Sequence, residues 1–115
     1  MALYKPYENN SGIAMSYWMI TDFQIDRLET RVSITVVPFA SEAARAAGKS
    51  PIVDETRKFY IRDFDYTGTK YEDKTNLEYS NTFSPKKIEE SGVDIYKMLY
   101  SYLKTIEFFS DAEDV

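Results

Sequence analysis

Ile13, Met15, Tyr17 and Met19 alternate with Ala14, Ser16 and Trp18. This period of two predicts a strand or strand pair over Ile13 to Ile25. Phe23 and Ile25 keep the same parity, and Thr21-Asp22 is the place for a bend or bulge. Val32, Ile34 and Val36 against Arg31, Ser33 and Thr35 predict a second strand over Glu29 to Phe39, and its β-branched content favours strand over helix. The link Asp26-Arg27-Leu28-Glu29 is short enough for a hairpin, although it holds no Gly. A third strand is predicted from Val53 to Asp63, with Phe59 and Ile61 inward and Lys58, Tyr60 and Arg62 on the other face.

The helical pattern is weaker and sits between and after the strands. Ser41 is an N-cap, four alanines follow, and Gly48 is a natural stop, which predicts one or two turns. Asp65 to Phe83 is polar and long for a loop, so either a weak strand around Asn76 to Tyr79 or packing on a partner is expected. Ser84-Pro85 starts a helix that breaks at Ser91-Gly92. A second helix is predicted from Val93 to Glu107, with Tyr96, Leu99, Tyr100 and Leu103 sharing one face. The fold class is therefore α+β: a small antiparallel sheet of three or more strands with a short inserted helical turn and a C-terminal helix packed on it. Residues 1–12, with Pro6 and the turn-forming Asn9-Asn10-Ser11-Gly12, read as an extended N-terminal arm. Residues 13–109 form one domain and 110–115 an acidic C-terminal tail.

Length fits this picture, since 115 residues support one modest core. The net charge of -5 and the lack of a basic run argue against nucleic acid or an anionic membrane as partner. No apolar run is long enough to span a bilayer, and no signal-peptide h-region is visible, so synthesis in the cytosol is expected. There is no Cys and no His. Disulfides, thiolate zinc sites and catalysis by a cysteine or histidine are thereby excluded.

What remains of chemistry is thin. Asp63-Phe64-Asp65-Tyr66-Thr67-Gly68 looks like the opening of a calcium loop, but position 12 holds Lys74 where a bidentate Glu is required. The acids Asp63, Asp65, Glu72, Asp73, Glu89, Glu90, Asp111, Glu113 and Asp114 show no spacing that sets two across a cleft. The four glycines are too scattered for a phosphate cradle. No catalytic, cofactor or metal residues are expected.

Aromatic residues stand out instead, at 16% of the chain. Tyrosine has an apolar body and a polar tip, which suits half-buried sheet faces and protein interfaces. The first strand is apolar or aromatic on both parities, and one C-terminal helix covers only one face. A neighbouring copy is the economical second cover. The interface expectation falls on Tyr4 and Tyr7, and on Tyr17, Trp18, Phe59 and Tyr60 as interface or core, with Arg45 on the Ser41 to Lys49 turn as a second contact. A different reading of the same rings is glycan binding, which needs polar partners that the sequence does not place.

Three segments carry a resemblance. Gly12-Ile13-Ala14-Met15-Ser16-Tyr17-Trp18-Met19-Ile20 fits the pattern G-x-x-x-x-Y-W-x-I. Phe39 to Pro51 fits Y-x-S-x-x-A-R-x-x-G-K-x-P, with Phe39 in the Tyr position. Leu99 to Lys104 and Phe109 to Val115 are similar to an ending A-Y-x-x-L-K followed by F-x-D-A-x-D-V. In this order they resemble small proteins encoded among the tail genes of tailed phages of low-GC Gram-positive bacteria. The resemblance implies a virion tail or baseplate context, with copies of itself and other tail proteins as partners. It supplies no catalytic residue. A host-surface glycan-binding module of the adsorption apparatus, or a head accessory protein, are the alternatives.

Overall fold

A computed structural model describes the backbone of residues 1–66, 71–73 and 78–115, and the side chains of 1–63 and 78–115. Its centre is a five-stranded antiparallel sheet formed by β1 (Leu3–Glu8), β2 (Ala14–Asp26), β3 (Arg31–Phe39), β4 (Arg57–Arg62) and β7 (Glu113–Asp114). They are ordered β4-β3-β2-β1-β7. A separate two-stranded ribbon pairs β5 (Phe64–Tyr66) with β6 (Tyr71–Asp73). The helices are α1 (Glu42–Ala46), α2 (Pro85–Ser91) and α3 (Ile95–Leu103), with a π-helical turn at Tyr79–Phe83. The α+β architecture with a C-terminal helix packed on the sheet is thus as the sequence predicts. No helix among the described residues is long and apolar enough to cross a membrane.

The core lies on one face of the sheet. Val32, Ile34 and Val36 point there at full burial, beside Ile61 of β4. Leu99, Tyr100 and Leu103 of α3 close over them, together with Tyr79 and Phe83. β2 contributes in three short runs; its pairing with β1 shifts where β1 carries an extra residue between Tyr4 and Tyr7, and its pairing with β3 shifts between Ile20 and Asp22. Met15 is buried, then Trp18 and Ile20, and Phe23 and Ile25 pack against the same cluster. The second shift is a bulge: Ile20 pairs with Val36 and Asp22 with Thr35, so Thr21 is the extra residue. One parity for the whole strand therefore fails, and the Thr21-Asp22 irregularity is the reason for the change after Ile20.

The chain ends are built into the sheet. Residues 3–8 are extended, but β1 lies between β2 and β7 and so is not a separate arm. The acidic tail pairs as β7, with Leu3 opposite Asp114 and Tyr4 opposite Glu113. Ala2 and Val115 exchange both backbone hydrogen bonds, at 3.1 and 3.0 Å. Lys5–Asp111 and Lys104–Asp114 ion pairs, each 2.7 Å, fasten the tail further. The hydrogen bond from Lys5 holds the exposed Asp111 carboxyl below its ordinary range.

Several boundaries move for local reasons. Gly48, at φ 77, follows α1 as expected, and Ser41 Oγ caps it by accepting from Ala44 N at 3.0 Å. β4 starts only at Arg57, because Val53–Glu55 forms a 3-10 turn. Ser84 and Pro85 open α2, and Gly92 in the left-handed region ends it. α3 begins at Ile95, where Asp94 caps it, and stops at Leu103 rather than running to Glu107. The backbone tightens there, with Thr105 N and Ile106 N donating three residues back. Of the strand expected around Asn76 to Tyr79, residues 76 and 77 lie outside the described residues, and 78 and 79 are helical.

Pro38 is tolerated in β3 because its nitrogen has no strand to serve. It pairs with Trp18 on one side, and the β3–β4 ladder has ended at Val36–Arg57 on the other. There its carbonyl accepts from Ile52 N at 2.8 Å.

Candidate functional site

Trp18 is fully buried within its own chain. Its indole Nε1 donates to the Lys5 carbonyl at 2.9 Å. Phe108 and Phe109 meet its ring edge-on at 5.2 and 5.4 Å between centroids. The Arg57 guanidinium completes the packing, 4.2 Å from the Phe108 ring centre and 5.6 Å from that of Trp18. Trp18 therefore cannot be a surface contact. Tyr7 packs on Trp18 and Phe108, and Phe59 on Phe109, so both also belong to the core side. The expectation undercounted the cover on this face, because Phe108-Phe109 add a second lid beside the helix.

The other face of the sheet carries the remaining aromatic expectations. Strand pairing sets Glu113, Tyr4, Tyr17 and Phe39 in one cross-strand row. Tyr17 and Phe39 touch edge-on at 6.2 Å. Met19 and Val37 form the next row. Arg45 of α1 reaches back with its guanidinium 5.8 Å from the Phe39 ring centre. Tyr4 stays 43% exposed and Tyr17 half-buried. Neither Arg45 nor Glu113 has an ion-pair partner among the described residues.

Past the Thr21 bulge, the same face turns polar. Three rows follow across β2, β3 and β4: Asp22–Thr35–Lys58, Gln24–Ser33–Tyr60 and Asp26–Arg31–Arg62. Short side chains at Thr35 and Ser33 run down the middle and longer ones flank them, leaving a trough of about 260 Å³. Tyr60 is 44% exposed, and the Arg62 guanidinium lies 5.1 Å from its ring centre. The sequence pattern sets Arg31, Ser33 and Thr35 on the face opposite Val32, Ile34 and Val36 but does not gather these residues into a site. The signal was there: polar outward positions recur in three strands that pair.

Two apolar grooves of about 440 Å³ flank α3, one lined by Thr82, Val93, Met98 and Tyr102, the other by Met1, Tyr100 and Val115, with Lys97 and Ser101 shared between them. Among the described residues, the first is lined by no acidic side chain and the second only by Asp114. The calcium-loop reading falls mostly outside the described residues. Its first residue, Asp63, is buried, and its carboxylate accepts from Ser80 N at 3.0 Å and from Ser80 Oγ.

Comparison with known proteins finds no matching family model, no matching curated protein and no matching solved structure.

Proposed function

We propose that this chain is a non-enzymatic structural protein of a phage tail or tail-like particle, assembling with copies of itself at the baseplate or fibre-attachment region. The observation that carries the assembly reading is the row Glu113–Tyr4–Tyr17–Phe39, closed at its far end by Arg45. It has an acid at one end, a cation at the other and aromatic rings between, of which Tyr4 and Tyr17 are accessible and Phe39 is buried beneath Arg45. Two such rows stacked antiparallel place each Arg45 over the other copy's Glu113 and ring against ring. That is the self-complementary pattern of a two-fold interface. Half-exposed tyrosines supply contact area at low entropic cost. The tail context is supported by the resemblance of the Tyr17-Trp18, Ser41 to Pro51 and C-terminal segments, and symmetric repetition in a particle multiplies a contact that is weak alone.

The test is sedimentation velocity combined with charge reversal. The chain is expected to sediment as a dimer or larger species. Arg45→Glu disrupts it, and Arg45→Glu with Glu113→Arg restores it. An antibody against the chain should detect it in washed particles of the parent phage. A stable monomer at high concentration, absent from particles, refutes the proposal.

A further inference from the structure

The polar half of the open sheet face has the makings of a ligand site distinct from the aromatic row. Its floor is the Thr35 and Ser33 side chains on β3. One wall is Asp22 and Gln24 from β2, the other Lys58 and Tyr60 from β4. Neighbouring strands lie about 4.8 Å apart, so the walls stand roughly 10 Å from each other. That width admits a single ring or an extended chain lying along β3.

The chemistry of the lining narrows the occupant. Ser33, Thr35 and the Gln24 amide both donate and accept, Asp22 only accepts, and Lys58 and Arg31 only donate. A small anion needs cations that converge; of the lining residues Arg31 and Lys58 sit at opposite ends, roughly 13 Å apart along β3, and Arg62, cross-strand from Arg31, lies against the Tyr60 ring instead. A carboxylate or phosphate at either end would meet the acid of the same row, Asp26 beside Arg31 and Asp22 beside Lys58. A ligand rich in hydroxyl groups and without net charge satisfies both walls at once. The exposed Tyr60 ring offers an apolar plate to the C–H face of a sugar, while the hydroxyl edges reach the polar wall.

We infer that this trough binds a neutral saccharide of one or two rings. At about 260 Å³ it is smaller than the roughly 300–1,000 Å³ of pockets that engulf a drug-sized ligand, so the sugar lies on the sheet and binds weakly. None of Asp22, Gln24, Ser33, Thr35, Lys58 or Tyr60 belongs to the aromatic row, so the two surfaces are tested separately.

The experiment is amide chemical-shift mapping of the full chain, titrated with maltose, lactose, cellobiose and N,N′-diacetylchitobiose, and with glucuronate and inorganic phosphate as charged probes. At least one neutral disaccharide is expected to shift the amides of Gln24, Ser33, Thr35 and Tyr60 with a dissociation constant of about a millimolar or weaker. Tyr60→Ala, at an exposed position, should weaken that binding by about threefold or more. Gln24→Ala, which keeps the ring, should weaken it too. No response to any neutral sugar, shifts confined to another surface, a response to the charged probes alone, or unchanged binding by both variants each overturns the inference.

Discussion

Tyr100 replaces a strand that the sheet lacks, and removing one oxygen tests that role. The β1–β2 register ends at Leu3–Trp18, so β1 offers no residue to pair with Ile20. The Tyr100 hydroxyl takes the Ile20 N–H instead, at 2.8 Å. Both residues are 3% exposed, so the pair is shielded from bulk water. Tyr100→Phe keeps the ring and its packing on the sheet but leaves that buried N–H without its acceptor. An unsatisfied buried donor costs about 1–3 kcal/mol. For a domain of this size, that lowers Tm by roughly 4–12 °C. Urea unfolding followed by circular dichroism gives the energy, and hydrogen exchange at the Ile20 amide gives the location. A loss below about 0.5 kcal/mol with Ile20 protection unchanged refutes the reasoning.

The same residue predicts an alkaline limb. Burial pushes the Tyr100 hydroxyl above its ordinary value of 10.0, outweighing the Ile20 hydrogen bond, which acts the other way. Tyr102 is pushed up as well, by burial first and then by the charge of Glu78. A raised folded pKa contributes stability that is complete below the unfolded value and lost as pH rises through the folded one. Stability should therefore fall above about pH 10, where the unfolded tyrosines ionise and the folded ones resist. Tyr100→Phe with Tyr102→Phe should flatten that fall, and an unchanged slope contradicts the assignment.

Two further substitutions probe the parts of the fold that the site depends on. Arg57→Lys should destabilise by about 1 kcal/mol in chemical unfolding, because a point charge cannot reproduce a flat guanidinium set among Phe108, Tyr7 and Trp18; full stability of the Lys variant would count against the stacking. Thr30→Gly should raise stability by up to about 1 kcal/mol, because Thr30 holds a φ of 49, which a β-branched residue adopts at a cost; a lower Tm would show that the Thr30 side chain contributes more than its backbone costs.

Much of the fold was legible where the pattern is local. The alternation in β3, the Ser41 cap with Gly48 behind α1, and Ser84-Pro85 before α2 all carry their own physical signal. β7 does not. Glu113-Asp114 has no apolar face, and its pairing depends on the backbone of β1, more than a hundred residues earlier. The burial of Trp18 is likewise decided by Phe108-Phe109, at the other end of the chain. Of the surface residues, Tyr4, Tyr17, Tyr60 and Arg45 were recognised from type and position. The trough was not, because Asp22, Ser33 and Lys58 become neighbours only once the register of three strands is set.

That register explains why one sheet face has two chemistries. Before the Thr21 bulge, Tyr17 and Met19 face outward while Trp18 and Ile20 face the core. After it, Phe23 and Ile25 face the core while Asp22, Gln24 and Asp26 face outward. An uninterrupted strand would have kept Phe23 and Ile25 with Tyr17, giving one long apolar stripe in the open and three polar side chains against the core. Burying Asp22 and Asp26 without partners would cost several kcal/mol each. The extra residue removes that conflict with a single step of the backbone. It confines the aromatic side chains of this face to the short row Tyr4–Tyr17–Phe39, and it delivers a polar wall to the trough beside it. The proposed assembly surface and the inferred saccharide site would thus both follow from one bulge.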